Sequence, residues 1–376
     1  MQNNCLKALF FVPLRPILQS NASNFSFHMQ RIQSIDILKL FAMFLVIWGH
    51  CVQFMLTSDY LDELAFVYIY SFHMPLFFMI SGLFVHNEQL SPSACGQQLL
   101  VKARQLLLPC LSWGLLMSAG NLAQSLLSGT PSVHSLTYTL VNNFWFLKSL
   151  FVCFLLWYVS ITVLRRRWLA LIVSLLISQC ITEWSVQWSY PTFAIGIAIA
   201  PYLSRIRQYR RRIALIALII GGVLLIFWNR SHLTIPSVYT WAELAPQAVL
   251  ANIGMRLYKI AVNTALSLGL IALFLGLESR LQSASQPAVL VRFASWGKLT
   301  LGIYIIHTLI IIVRERLCPD LLCCDSLNPW LFNTVIAPLT AAMLLLVSVY
   351  VTQGIMRLPR LSFFLLGTPW RKRQSA

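Results

Sequence analysis

Apolar runs recur along this chain near 38–57, 64–86, 106–128, 144–164, 168–182, 188–204, 213–228, 254–277, 296–313 and 330–356. Roughly 17 to 25 apolar residues are what a helix needs to cross a bilayer, and the fifth and seventh runs are short by that measure. Only 10% of the 376 residues are charged while 58% are hydrophobic, and the mean hydropathy is +0.72. No soluble domain of ordinary makeup reads this way. The expected fold is an all-α integral membrane protein, a bundle of about ten transmembrane helices with both termini cytoplasmic.

A net charge of +17 would point a soluble protein toward nucleic acid, but here its distribution reports topology. With a cytoplasmic N-terminus, 21 of the 28 Lys and Arg fall on inner segments, including Arg165 to Arg167, Arg205 to Arg212 and Arg371 to Arg373. Outer loops carry Arg230, Arg314 and Arg316, and Lys39, Lys148, Arg256 and Lys259 lie at or in spans. The acids go the other way, with Asp59, Asp62, Glu63, Glu183, Glu243, Glu315, Asp320 and Asp325 outside. Basic runs of this kind orient the chain and meet lipid headgroups, so the expected partners are membrane lipids and not nucleic acid.

Soluble stretches stay under about 30 residues, too short for an appended domain. The organisation expected is a disordered tail over 1–30, one transmembrane domain over 31–358, and a basic cytoplasmic tail over 359–376. Ala8 to Val12 is too short for a signal-peptide core, and Met29 offers an alternative start two residues before Arg31. The long outer connection at 229–253, with Pro236, Trp241 and Pro246, suits a loop packed back on the bundle mouth. Cys318, Cys323 and Cys324 share an outer loop where either free thiols or one bridge would fit.

Ionisable residues inside the spans are costly and normally face a bundle interior or a wet cavity. In the first run, RIQSIDILKLFAMFLVIWGHCVQFM from Arg31 to Met55, Lys39 and His50 differ by eleven residues, about 20° around a helix, and Asp36 falls about 40° to the other side. All three share a face. His50 lies ~21 Å along the helix from Asp36 and ~16 Å from Lys39, so imidazole and ammonium mark two points of one channel. A neutral histidine is the usual general base near pH 7, whereas a cation near the cytoplasmic end suits a phosphate-bearing carrier. The plainer alternatives are a packing histidine and an Asp36–Lys39 pair with Lys39 snorkelling. SFHMPLFFMISGLF, Ser71 to Phe84, brings His73 to a similar depth, with Pro75 breaking the backbone ladder and Gly82 permitting a close crossing. Thr300, Tyr304 and His307 form one stripe of the ninth span. Lys148, after Phe144, Trp145 and Phe146, and the pair Arg256 and Lys259 read either as interfacial snorkelling residues or as an anion or sugar site at the outer mouth.

No Gly-x-Ser-x-Gly elbow occurs, Ser81 has no local base, and no His/Cys cluster has zinc spacing. No metal is expected. The chemistry these residues support is proton abstraction from a hydroxyl by histidine, with direct attack on a thioester.

The chain resembles the membrane acyltransferase 3 family, which O-acylates surface glycans. The resemblance rests on Arg31, Asp36, Lys39 and His50, on FHMPLFFMISG, on KARQLLLP from Lys102 to Pro109, on WFLKSLF from Trp145, and on LGIYIIH from Leu301 to His307. It implies acyl transfer, usually of acetyl, from acyl-CoA on the cytoplasmic side to a carbohydrate hydroxyl, with acetyl-CoA as donor substrate. It makes His50 the essential histidine and puts Lys39 where the family often has arginine, which keeps the charge but loses the bidentate fork. The extracytoplasmic hydrolase-like domain of larger members has no counterpart in these residues.

The resulting expectation is a multi-pass O-acetyltransferase of the cell (inner) membrane, acting in polysaccharide biosynthesis on a surface polysaccharide or lipid-linked glycan, with glycan assembly proteins as partners. Its expected catalytic residues are His50, Asp36 and His73. Arg31, Lys39, Lys102 and Arg104 would hold the donor, and Ser81, Trp145, Lys148, Arg256, Tyr304 and His307 the acceptor or acyl path. The rival is a proton-coupled transporter or glycan flippase in which His50, His73 and His307 relay protons.

Overall fold

A computed structural model describes residues 31–56, 59–85, 90–128, 143–233, 246–283, 287–317, 324 and 327–369. The expected N-terminal tail, Pro236 and Trp241 of the long connection, Cys318, Cys323 and Arg371 to Arg373 lie outside them. Every described element is helical, as a bilayer demands of a chain that must satisfy its own backbone groups.

A helix lies over each of the ten apolar runs: α1 Gln33–Met55, α2 Leu64–Tyr70 continuing after a break as α3 His73–Leu83, α4 Pro92–Ser128, α5 Trp145–Leu164, α6 Arg167–Gln179 and α7 Val186–Ile199. After the short α8, Leu203–Gln208, come α9 Arg210–Leu225, α10 Pro246–Leu275, α11 Glu278–Leu281, α12 Ala288–Gly297 and α13 Thr300–Leu317. A π turn at Phe332–Ile336 then leads into α14 Ala337–Met356, and α15 spans Pro359–Leu366. The protein is an integral membrane protein. Among the described residues, six helical stretches are long and apolar enough to cross a bilayer, and a seventh arises if α12 and α13, bent by 71° at Lys298 and Leu299, act as one span.

The remaining three helices are shorter, for different physical reasons. α6 and α9 turn apolar side chains outward, among them Trp168, Ile172 and Leu176, and Leu215, Ile219 and Val223. So broad an apolar exposure fits lipid rather than water. α7 instead is buried nearly all round, with Tyr190, Phe193 and Ile197 wholly enclosed. Its 14 regular residues run ~21 Å before a 3-10 turn, Ala200–Tyr202, carries the chain into α8, and their enclosure makes α7 a core helix.

α1 is the centre of the bundle, packed against α2, α3, α10, α12, α13 and α14. Its Ile35, Leu38, Met43 and Ile47 sit in the largest core cluster. Two close crossings fix its neighbours. A Cβ on Gly82 would lie 2.0 Å from the Phe193 carbonyl oxygen, and one on Gly196 2.2 Å from that of Met79, so α3 and α7 meet backbone to backbone. Likewise a Cβ on Gly297 would lie 1.8 Å from the Asp36 carbonyl oxygen, which seats the end of α12 on α1 where the chain bends. The segment read as the start of a C-terminal tail forms α15, its Leu366 enclosed and its Leu365 carbonyl accepting from Trp113 Nε1 at 3.0 Å. Cys324 is buried, and its backbone N–H donates to the Met55 carbonyl.

Candidate active site

At one end of α1, three imidazoles collect. The His50 and His307 rings lie 5.5 Å apart, and His73 stands 4.6 Å from Tyr70. His73 Nδ1 lies 2.7 Å from the Ile69 carbonyl and His307 Nδ1 2.8 Å from that of Ile303. A carbonyl only accepts, so both Nδ1 atoms carry the proton and both Nε2 atoms keep the lone pair. His307 Nε2 is buried with no hydrogen-bond partner, and the residue is 0% exposed. The break between α2 and α3 places Ile69 for this contact, while Pro75 withholds a backbone donor from the first turn of α3.

His50 is fixed by Gln53, one turn further along α1. Gln53 Nε2 donates to Tyr60 Oη at 3.3 Å, leaving Oε1 to accept from His50 Nδ1 at 3.2 Å and from Tyr70 Oη at 3.4 Å. The three imidazoles thus share one tautomer, and among the described residues none leans on a carboxylate. Tyr304 packs edge-on to His307 at 5.7 Å and to Phe146 at 5.4 Å, joining α13 to the start of α5. The arrangement offers neutral Nε2 bases in a partly enclosed aromatic setting.

At the other end of α1, Asp36 Oδ2 receives Arg31 Nε at 2.7 Å and Asp36 Oδ1 lies 3.4 Å from Lys39 Nζ. Lys298, at the α12–α13 bend, is within electrostatic reach of Arg31 and Asp36, and Lys102 of Lys39. Lys102 Nζ also lies 4.2 Å from the Phe154 ring centroid. Arg31, Lys39 and Lys298 therefore gather about Asp36 with Lys102 beside Lys39, while a second carboxylate, Glu278, is buried nearby on the Ser34 N–H; a group so rich in cations can receive a polyanion. Asp36 belongs to this group and not to the imidazoles, since fourteen residues of helix separate it from His50 by ~21 Å; the geometry removes it from direct chemistry. Arg104 lies two residues beyond Lys102, ~200° around α4, so the two do not share a face, although Arg104 Nε is buried without a hydrogen-bond partner.

A third group sits where α5 begins, α6 ends and α10 passes. Arg256 Cζ and Lys259 Nζ lie 4.4 and 4.5 Å from the Trp188 ring centroid, and Lys148 Nζ lies 5.4 Å from that of Trp184. Arg256 donates to Gln179 Oε1 and Gln187 Oε1, each at 3.3 Å. Lys148 and Lys259 are only 6% and 7% exposed, so neither is a snorkelling surface residue. Of the other expected substrate groups, Trp145 is half-buried beside Phe146. Ser81 lies eight residues along α3 from His73, ~12 Å away, outside the imidazole group.

Sequence reasoning missed Gln53, Tyr70, Lys298, Trp188 and Gln187. Gln53 had a legible signal, sitting three residues from His50 on the same helix face; the others are brought in by tertiary packing.

The family model Acyl_transf_3, described as an acyltransferase domain, matches residues 32–353. The chain is similar to the nodulation protein NolL of Sinorhizobium fredii (strain NBRC 101917 / NGR234), 30% identical over 177 residues, 44% of this chain and 48% of that protein. It is also similar to the nodulation protein NolL of Mesorhizobium japonicum (strain LMG 29417 / CECT 9101 / MAFF 303099), 28% identical over 177 residues, 44% and 47% of the two chains. The chain spans about half the length of these curated relatives. No solved structure matches it.

Proposed function

Because the chain belongs to the acyltransferase 3 family, we propose that it is an integral membrane O-acyltransferase that moves an acetyl group from acetyl-CoA to a hydroxyl of a surface polysaccharide or lipid-linked glycan. In this reading the ten helices all belong to one membrane domain, both termini are cytoplasmic, and the Asp36 end faces the cytoplasm of a cell whose inner membrane holds the protein. Arg31, Lys39, Lys102 and Lys298 receive the phosphates of the donor, with Asp36 holding the cations in place. The pantetheine arm then runs along α1 toward His50.

At that end His50 Nε2 takes the proton of the acceptor hydroxyl as the oxygen attacks the thioester carbonyl. The C–S bond breaks, the CoA sulfur leaves with the electron pair, and the imidazolium returns the proton to it. His307 and His73 adjoin the same space, and Tyr304 closes it toward α5. The observation that carries the reading is the His50–His307 contact, in which both Nδ1 protons are engaged by oxygen acceptors and both Nε2 lone pairs are left for chemistry. The relatives' involvement in nodulation supports a saccharide acceptor only as an analogy.

The test is His50→Ala in cells and in purified protein. Loss of acetyl ester from the surface glycan at normal protein level, together with loss of thiol release from acetyl-CoA in the presence of acceptor, is expected. Unchanged acetylation refutes the assignment, and substrate movement without thiol release would mean transport instead.

A further inference from the structure

The third group described above has a chemistry that acyl transfer to a plain hydroxyl does not need. Lys148, Arg256 and Lys259 bring three cations onto the faces of Trp184 and Trp188. Beside them, Gln187 Nε2 and Trp188 Nε1 are buried donors with no hydrogen-bond partner, and Gln187 is only 1% exposed. Buried donors without acceptors are uncommon because each carries an uncompensated desolvation cost. Arg256 occupies the side-chain oxygens of Gln179 and Gln187, while the two orphaned N–H groups are left to donate to a ligand. The backbone is strained at the same place: Trp184 and Ser185 hold φ of 50° and 59° in succession, a left-handed pair that costs non-glycine residues energy and recurs at binding sites.

A chain of rings leads from the imidazoles to the head of α5: His50 meets His307, His307 meets Tyr304, and Tyr304 meets Phe146, each ring pair within 5.7 Å. Lys148 lies two residues past Phe146, ~200° around α5, and reaches Trp184 from the other face of that helix. A ligand spanning both sites would pass over the N-terminal end of α5.

We propose that this cage is the acceptor's anion subsite: the glycan that is acylated carries a phosphate or carboxylate, which docks between Trp184 and Trp188 against Lys148, Arg256 and Lys259 and accepts from Gln187 Nε2 and Trp188 Nε1. The inference rests on the acyltransferase reading for the identity of the ligand, but its test requires no catalysis.

The full chain in phosphatidylcholine nanodiscs is titrated, by tryptophan fluorescence, with methyl glucuronide, inorganic pyrophosphate and neutral methyl glucoside. Saturable binding of an anionic probe, weakening as salt is raised, is expected, with at least about a tenfold loss in Arg256→Gln and in Lys259→Gln. Trp188→Phe keeps an aromatic face for the two cations while removing the indole N–H with its five-membered ring, so it controls for misfolding and is expected to weaken binding several-fold. Equal binding of the neutral glucoside, or unaltered binding in all three variants, overturns the proposal. Nanodiscs containing phosphatidylglycerol separate the sources of the anion: displacement of the probes by that lipid would make the cage a headgroup site and overturn the acceptor assignment. His50→Ala keeps the two readings apart. If it still transfers acetyl while the cage variants lose the anion, the base assignment fails and the subsite stands; the converse result leaves the base and removes the subsite.

Discussion

Replacing Gln53 by leucine tests how the imidazole end works. In the resting protein His50 Nδ1 donates to Gln53 Oε1 at 3.2 Å as one neutral group to another. When Nε2 takes the acceptor's proton the ring becomes a cation, and the same bond becomes charge-assisted. A neutral hydrogen bond contributes about 0.5–1.5 kcal/mol and a charged one about 1.5–3, and only the difference, about 1–1.5 kcal/mol, acts on the rate. That is roughly a five- to tenfold fall in kcat at about 1.4 kcal/mol per decade. Losing the acceptor also frees the His50 tautomer, which removes part of the reactive population and brings the fall to roughly tenfold or somewhat more. Gln53→Glu keeps an oxygen against Nδ1 and should retain more of the rate than the leucine variant. The assay is thiol release from acetyl-CoA by purified protein with acceptor, beside acetyl-ester content of the glycan in cells. A leucine variant with full kcat, or one altered only in KM, would show that Gln53 does not position the base.

Three further outcomes are expected. His307→Leu should lower turnover at least about tenfold while leaving the melting temperature unchanged or raised, because leucine removes a buried nitrogen that has no partner; a lowered melting temperature with intact turnover would make His307 a packing residue. Lys298→Gln should raise KM for acetyl-CoA several-fold with kcat little changed, as loss of ground-state binding does, and unaltered donor kinetics would exclude Lys298 from the donor receptor. Gly196→Ala should destabilise the purified protein by about 1–3 kcal/mol, since its Cβ would stand 2.2 Å from the Met79 carbonyl oxygen and α3 would have to withdraw; thermal melting in detergent checks this.

The parts of the molecule legible in its sequence are those where a residue is expensive. His50, His73 and His307 stood out because hydrocarbon tolerates imidazole poorly, and the structure gathers them. Asp36 and Lys39 stood out for the same reason, and helical rise alone set them ~21 and ~16 Å from His50; what the sequence hid was Lys298 coming to Asp36 from the distant α12–α13 bend. α7 was read as a span because an apolar run looks the same whether it faces lipid or protein. The bend at Lys298 was invisible, since nothing in the sequence around Gly297 says that its Cα meets the Asp36 carbonyl. Lys148 and Lys259 were assigned to the interface or to an anion site, and it took the packing of Trp184 and Trp188 to enclose them.

The enclosure of the Trp188 cage has an electrical consequence. Lys148 and Lys259 are almost wholly buried, so a charge that reaches them has left bulk water and entered the layer across which the membrane voltage falls. A full elementary charge carried through that drop exchanges about 2.3 kcal/mol per 100 mV, so an anion seated partway into the cage would feel a fraction of the cell's polarisation, and its occupancy would respond to the energised state of the membrane.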